Sequence, residues 1–245
     1  MNHTLRNDEL SRRLTALRGP GARAGDPQAP TAGQLEDRAL LPHGQPARAA
    51  VDAFRELRTR LLSIGDGAPF VTVVAPVGRG SGGSYVARNL AAALAFDETR
   101  NVLLVDCDLR HPSQASTLRV DPGRGGLVDY LEHRVPDVDT VIYDTAVPRL
   151  RLLPAGTWHD AGVEHFSPRR MGAMLDIVRQ RRPDCHVLLD SPPARGGPDA
   201  RMLAELADVV VLVAGYGRDT PSAISQAASC FDPGKFAGVV FNEGV

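Results

Sequence analysis

The sequence predicts a three-layer α/β domain, a mostly parallel sheet with helices on both faces, and three observations carry that expectation. From Ala47 onward, short β-branched apolar runs alternate with helical stretches. The runs are continuously apolar, as in strands covered on both sides, rather than alternating as in half-exposed ones. The first run leads into a glycine-rich turn and an alanine-rich helix, and acidic residues collect where later runs end, at the edge where such sheets hold ligands.

Residues 1–46 are rich in Pro, Gly, Ala and Arg and lose periodicity after the first twenty, so a disordered arm is expected there. Within it, Leu5, Leu10, Leu14 and Leu17 fall near one face of a short helical stretch that reads as solvated. The domain is expected over 47–245. Residues 51–62 carry a helical mixture of apolar and basic positions. Strands are predicted at 71–74, 102–105, 187–189, 209–213 and 239–241, all buried on both faces, and helices at 84–96, 126–132, 168–180, 199–206 and 221–230.

Composition narrows the function classes. A chain of 245 residues with 43% hydrophobic content can bury one sizeable core. A net charge of −1 leaves no electrostatic footprint for nucleic acid, and Lys235 is the only lysine. Cys107, Cys185 and Cys230 are too few and too scattered for a metal knuckle or a disulfide framework, which points to a reduced, cytoplasmic setting. There is no leader pattern, and the longest apolar runs, such as 209–214, fall short of a membrane span, so membrane association is expected only through a partner.

The chemistry-bearing residues lie at three strand ends. "VVAPVGRGSGGSYVARNLAAALA" has the outline of a phosphate loop, whose backbone N–H groups cradle phosphate while a lysine and a hydroxyl complete the site. Gly82-Gly83-Ser84 stands where Gly-Lys-Ser is the usual run. "LLVDCDLRHPS" places Asp106 and Asp108 at the second strand's end, and "VLLDSPPARGGPDA" places Asp190 at the end of another. A few carboxylate oxygens with water and phosphate are what Mg²⁺ asks of a protein. Cys107 reads as a small buried thiol. His111, His159, His165 and His186 show no ligand spacing, and Trp158 and Phe166 read as local packing.

Together with "FRELRTRLL", "GLVDYL", "LLPAG" and "GVVFNEGV", these motifs resemble, in order and spacing across residues 50–245, the bacterial tyrosine kinases of capsule and exopolysaccharide operons. That family belongs to the P-loop ATPase branch of the Min and Par partitioning proteins. The resemblance implies a three-layer P-loop NTPase fold that binds ATP or ADP with Mg²⁺. It assigns the phosphate turn to Gly78, Arg79, Gly80, Gly82 and Gly83, with Ser84 and Tyr85 opening the following helix. Asn242 falls where related ATPases read adenine. Ser84, Asp106 and Asp190 correspond to the metal site, and Asp106, Asp108 and Asp190 to the catalytic carboxylates. Asp52, Arg55 and Arg58 match a helix used in ring assembly, with a membrane chain-length (co-polymerase) protein or an active kinase paralogue as the partner, in a homo- or hetero-oligomer.

Two departures stand out. Counting back from Asn89, the family lysine falls on Gly83, and Arg79 is the only cation in the turn, where it reads as an exposed loop residue. A charge-assisted hydrogen bond is worth about 1.5–3 kcal/mol, so triphosphate binding should weaken and Gly83→Lys should restore it. The tyrosine-rich tail that the family phosphorylates is also missing: Tyr85, Tyr130, Tyr143 and Tyr216 are scattered through the domain. The expectation is a kinase-like regulator with weak or no catalysis. The alternatives are an active tyrosine autokinase and a partitioning-type positioning ATPase.

Overall fold

The computed structural model describes residues 45–157 and 167–243. The arm and its leucines therefore lie outside the described residues up to residue 44, as do Trp158, His159, His165 and Phe166. Helix α1 (Gln45–Ile64) opens the fold, followed by β1 (Val71–Pro76), α2 (Gly83–Ala95), β2 (Asn101–Asp106), α3 (Gln114–Leu118) and α4 (Leu127–Leu131). Then come β3 (Tyr143–Asp144), β4 (Leu150–Leu153), α5 (Pro168–Arg181), β5 (Cys185–Asp190), α6 (Asp199–Leu206), β6 (Val209–Gly215), α7 (Pro221–Ala228) and β7 (Phe236–Asn242).

The seven strands form one sheet in the order β3-β4-β2-β5-β1-β6-β7, parallel throughout except for the β3–β4 pair. Side chains alternate across each strand, so neighbours in sequence feed opposite cores. Val74, Leu104, Leu152 and Leu188 pack under α1 and α2 with Leu61, Leu90 and Leu94. Val73, Val105, Leu153 and Leu189 pack on the other face with Leu127, Met171, Met174, Leu203 and Ala227 of α4 to α7. The three expected layers are thus present, and the central strands β1, β5 and β6 are buried at every residue.

Two expectations need correction. The sheet has two strands more than the five predicted, because β3 spans only two residues and β4 four, too short for a periodic signal. The last strand is not covered on both faces: β7 is partly or fully exposed along its length, because it is the sheet's edge and pairs only with β6 among the described residues.

The same sheet buries a histidine at the end remote from the phosphate turn. His186 accepts a hydrogen bond at Nδ1 from the Phe70 N–H (3.4 Å), its ring lies 4.5 Å from that of Phe70, and its Nε2 has no partner. Burial first, and then the Arg100 charge, pull its pKa down to about 4. A depressed histidine contributes stability that is complete above the ordinary value near 6.5 and is lost as pH falls through about 4. Urea unfolding of wild type and His186→Gln should therefore show the wild type losing up to about 3 kcal/mol relative to the variant between pH 7 and pH 4. A constant difference across that range would show that His186 takes up its proton in the fold as readily as in the unfolded chain.

Candidate functional site

The site is assembled where β1, β2 and β5 end. Val77 N–H continues the sheet by donating to Val213, and the chain then turns through Gly78 to Gly83 into α2. Gly82, the residue before the helix, has φ +90°, and a side chain there would also run into the Asn242 amide. Ser81 braces the turn from inside: its hydroxyl accepts from Gly78 N–H (3.1 Å) and donates to Asp219 Oδ2 (2.7 Å). That same carboxylate oxygen accepts from Gly215 N–H (2.7 Å), and Asn242 Nδ2 donates to the Ser81 carbonyl (3.2 Å). The structure thus places Asn242 against the turn itself.

Over the turn lies an open pocket of about 240 Å³. Gly78, Arg79, Gly80, Gly82, Gly83, Ser84 and Tyr85 line it, joined from the facing strand ends by Asp108, His111 and Pro193. All the predicted turn residues therefore meet in one cavity at the N-terminus of a 13-residue helix, whose free N–H groups and dipole favour an anion. Arg79 is exposed at the rim. Tyr85 is half-buried with its ring edge-on to Phe54 of α1 at 6.0 Å, which links the pocket wall to that helix.

Asp106 and Asp190 are register partners on β2 and β5, 1% and 0% exposed. Neither lines the pocket: they lie behind Ser84, held by α3. Asp106 Oδ2 accepts from the N–H groups of Ser113 and Gln114, both at 3.0 Å. The Gln114 side chain donates to Asp190 Oδ2 (2.6 Å) and to the Ser84 carbonyl (3.0 Å), and its oxygen accepts from Arg88 (3.0 Å). Burial pushes both carboxyls above the usual range. The neighbouring Asp106 charge adds to this at Asp190, while the Gln114 and Ser113 N–H groups pull Asp106 back. Cys107, between the two acidic positions, is fully buried with its thiol pushed well up, as an inert packing residue should be.

Asp108 stands apart at the pocket rim beside His111, whose Nδ1 is 3.6 Å from Asp108 Oδ1. One oxygen of each buried carboxylate, Asp106 Oδ1 and Asp190 Oδ1, has no hydrogen-bond partner. Two orphaned, register-paired carboxylate oxygens behind a serine hydroxyl fit a hard divalent cation that completes its shell with water and phosphate oxygens. The assembly residues are divided. Asp52 and Arg55 are exposed and paired with each other at 3.5 Å, whereas Arg58 leans onto the protein to within 4.0 Å of Asp97.

Four side chains of the site escaped the sequence reading. Ser81, Asp219 and Gln114 act through contacts distant in sequence, and Arg88 carried the one legible signal, the single charge in an otherwise uncharged helix.

No protein-family model matches the chain. Its relatives include the tyrosine-protein kinase Wzc of Salmonella typhimurium, 29% identical over 206 residues that cover 83% of this chain and 28% of Wzc. The tyrosine-protein kinase CpsD of Streptococcus agalactiae is 25% identical over 199 residues, covering 80% of this chain and 85% of CpsD. Among solved structures, the kinase domain of the Escherichia coli tyrosine kinase ETK superposes with a TM-score of 0.71 at 24% identity, over 79% of this chain and 75% of that one. This is a P-loop domain of the bacterial tyrosine-kinase family. The chain spans under a third of the length of Wzc.

Within that family frame, the missing lysine of this bacterial tyrosine-kinase domain has a steric counterpart. A Cβ on Gly83 would lie 2.7–3.0 Å from the ring carbons of Pro76, which fill the space beside the turn. Gly83→Lys alone should therefore strain the turn, costing about 1–3 kcal/mol, and should not raise nucleotide affinity as the sequence suggested. Pro76→Ala combined with Gly83→Lys should recover the melting temperature and bind Mg-ADP more tightly than wild type. Thermal melts and calorimetry on the single and double variants decide this. A single variant with unchanged stability and improved affinity would show that Pro76 yields freely.

Proposed function

We propose that this domain is a kinase-like, nucleotide-binding regulator of capsule or exopolysaccharide polymerisation and export, with weak or absent phosphoryl transfer. On this reading it acts by assembling with a membrane chain-length protein or an active kinase paralogue. The observation that carries it is the turn: a helix N-terminus with its backbone donors and Ser84 in place, but glycine at the lysine position with Pro76 packed against it.

The geometry supports the following roles. The turn's N–H groups and the α2 N-terminus bind phosphate oxygens. Ser84, Asp106 and Asp190 would hold Mg²⁺, which when bound would supply positive charge to offset that of the phosphates. On this reading Asp108, which lines the pocket, would accept the proton of an incoming hydroxyl. What the turn lacks is the cation that stabilises charge on the transferring group, and this affects turnover more than binding. The retained carboxylates support the second reading, an active tyrosine autokinase in which Arg79 at the rim replaces the lysine. No helix among the described residues is long and apolar enough to cross a membrane.

Calorimetry should find Mg²⁺-dependent ADP or ATP binding in the roughly micromolar to millimolar range, and incubation with Mg-ATP should leave the tyrosines unmodified. Phosphotyrosine on the wild type that disappears in Asp106→Asn and in Arg79→Ala would install the autokinase reading instead. Assembly is tested by light scattering on Arg55→Glu, the exposed member of the α1 set. Self-association, or association with a kinase ring, should weaken while the melting temperature holds, and a wild type that stays monomeric with and without nucleotide and partner would remove the assembly role.

A further inference from the structure

Arg88 is an unexpected residue to find inside this helix. It is 6% exposed on α2, one turn beyond Ser84, and side chains on a helix lean toward its N-terminus, so the guanidinium reaches back under the phosphate turn. An uncompensated buried guanidinium is costly, and arginine cannot shed its charge as lysine can. Its partner is Gln114, fully buried, whose amide is oriented by the two charges it separates: the oxygen accepts from Arg88 at 3.0 Å and the nitrogen donates to Asp190 at 2.6 Å. Gln114 also holds Asp106 through its backbone N–H. Three buried polar atoms in this cluster have no partner, Arg88 Nε, Asp106 Oδ1 and Asp190 Oδ1. The cluster therefore contains two carboxylates that the sheet register forces together and one arginine linked to them through a single amide.

We propose that Arg88 is the resident cation of this site: from inside α2 it offsets the Asp106–Asp190 pair through Gln114, supplying from beneath the turn a positive charge that Gly83 does not carry and that Arg79, exposed at the rim, does not bring to the buried pair. Arg88 is a positioning residue, because it touches Ser84 and Gln114 rather than the pocket. It keeps the carboxylates and the Ser84 backbone in place before any divalent cation arrives. Arginine and a divalent cation then act as alternative counter-charges for the same two carboxylates. The inference rests on reading the pocket as a degenerate nucleotide site, but its test needs no nucleotide, so absence of nucleotide binding would defeat the functional proposal and leave this one standing.

The experiment compares melting temperatures of the full chain with and without millimolar Mn²⁺ for wild type, Arg88→Lys, Arg88→Met and Arg88→Met with Asp190→Asn. Wild type and Arg88→Lys should respond little to Mn²⁺. Arg88→Met should melt lower, recover with Mn²⁺ by about 3 °C or more beyond the wild-type response, and recover without metal when Asp190→Asn removes the excess negative charge. Should Arg88→Met fail to fold, Gln114→Met cuts the link while keeping all three charges, and it should show the same enlarged Mn²⁺ response. An Arg88→Met protein that melts like wild type would overturn the inference. So would a loss that neither Mn²⁺ nor Asp190→Asn restores, or a Gln114→Met protein that responds to Mn²⁺ no more than wild type, since each marks Arg88 as packing alone.

Discussion

Parallel pairing of β2 with β5 sets Asp106 directly against Asp190, and most of the site's organisation follows from that juxtaposition. Two carboxylates in register, both out of solvent, repel each other and lose hydration together. The fold answers with donors rather than distance. The chain leaving β2 curls back so that two successive N–H groups meet Asp106, and the first residue of α3 inserts its amide toward Asp190. Helix α3 spans only five residues, yet its position is dictated by this need.

The phosphate turn is held by a different logic. Its shape depends on residues far along the chain, from β6, the loop after it, and β7, which reach the turn through Ser81 and Gly82. A nucleotide-shaped cradle therefore persists independently of the residue that would grip the outer phosphates. Shape and charge are separately encoded here: the contacts that hold the turn run through Ser81 and Gly82 and do not involve the residue at position 83.

How much of this was legible in the sequence depends on how local each signal was. Asp106, Asp108 and Asp190 could be placed because each sits at or just past the end of an apolar run, and Ser84 because a glycine-rich turn leads into its helix; strand ends in a parallel sheet converge. That Asp108 faces the pocket while Asp106 and Asp190 lie behind Ser84 could not be read, since it turns on where α3 packs. Gln114 and Asp190 are 76 residues apart, and no motif announces their contact. Arg58 read as one of three matching assembly charges, but its neighbour Asp97 comes from the loop after α2. The short strands β3 and β4 and the half-open edge at β7 escaped for the same reason: neither length nor periodicity distinguishes them from loop or from a covered strand.

The packing of Pro76 beside Gly83 bears on the history of such a domain. With the Pro76 ring 2.7–3.0 Å from where a Cβ at 83 would sit, the two positions are epistatic, and a side chain at 83 is not one neutral substitution away. The constraint depends on order: a side chain at 83 is strained while the Pro76 ring is present, whereas changing Pro76 first, with glycine still at 83, meets no such clash. Order of substitution, and not only the identity of residue 83, then decides whether a cationic side chain can be reached there by single steps.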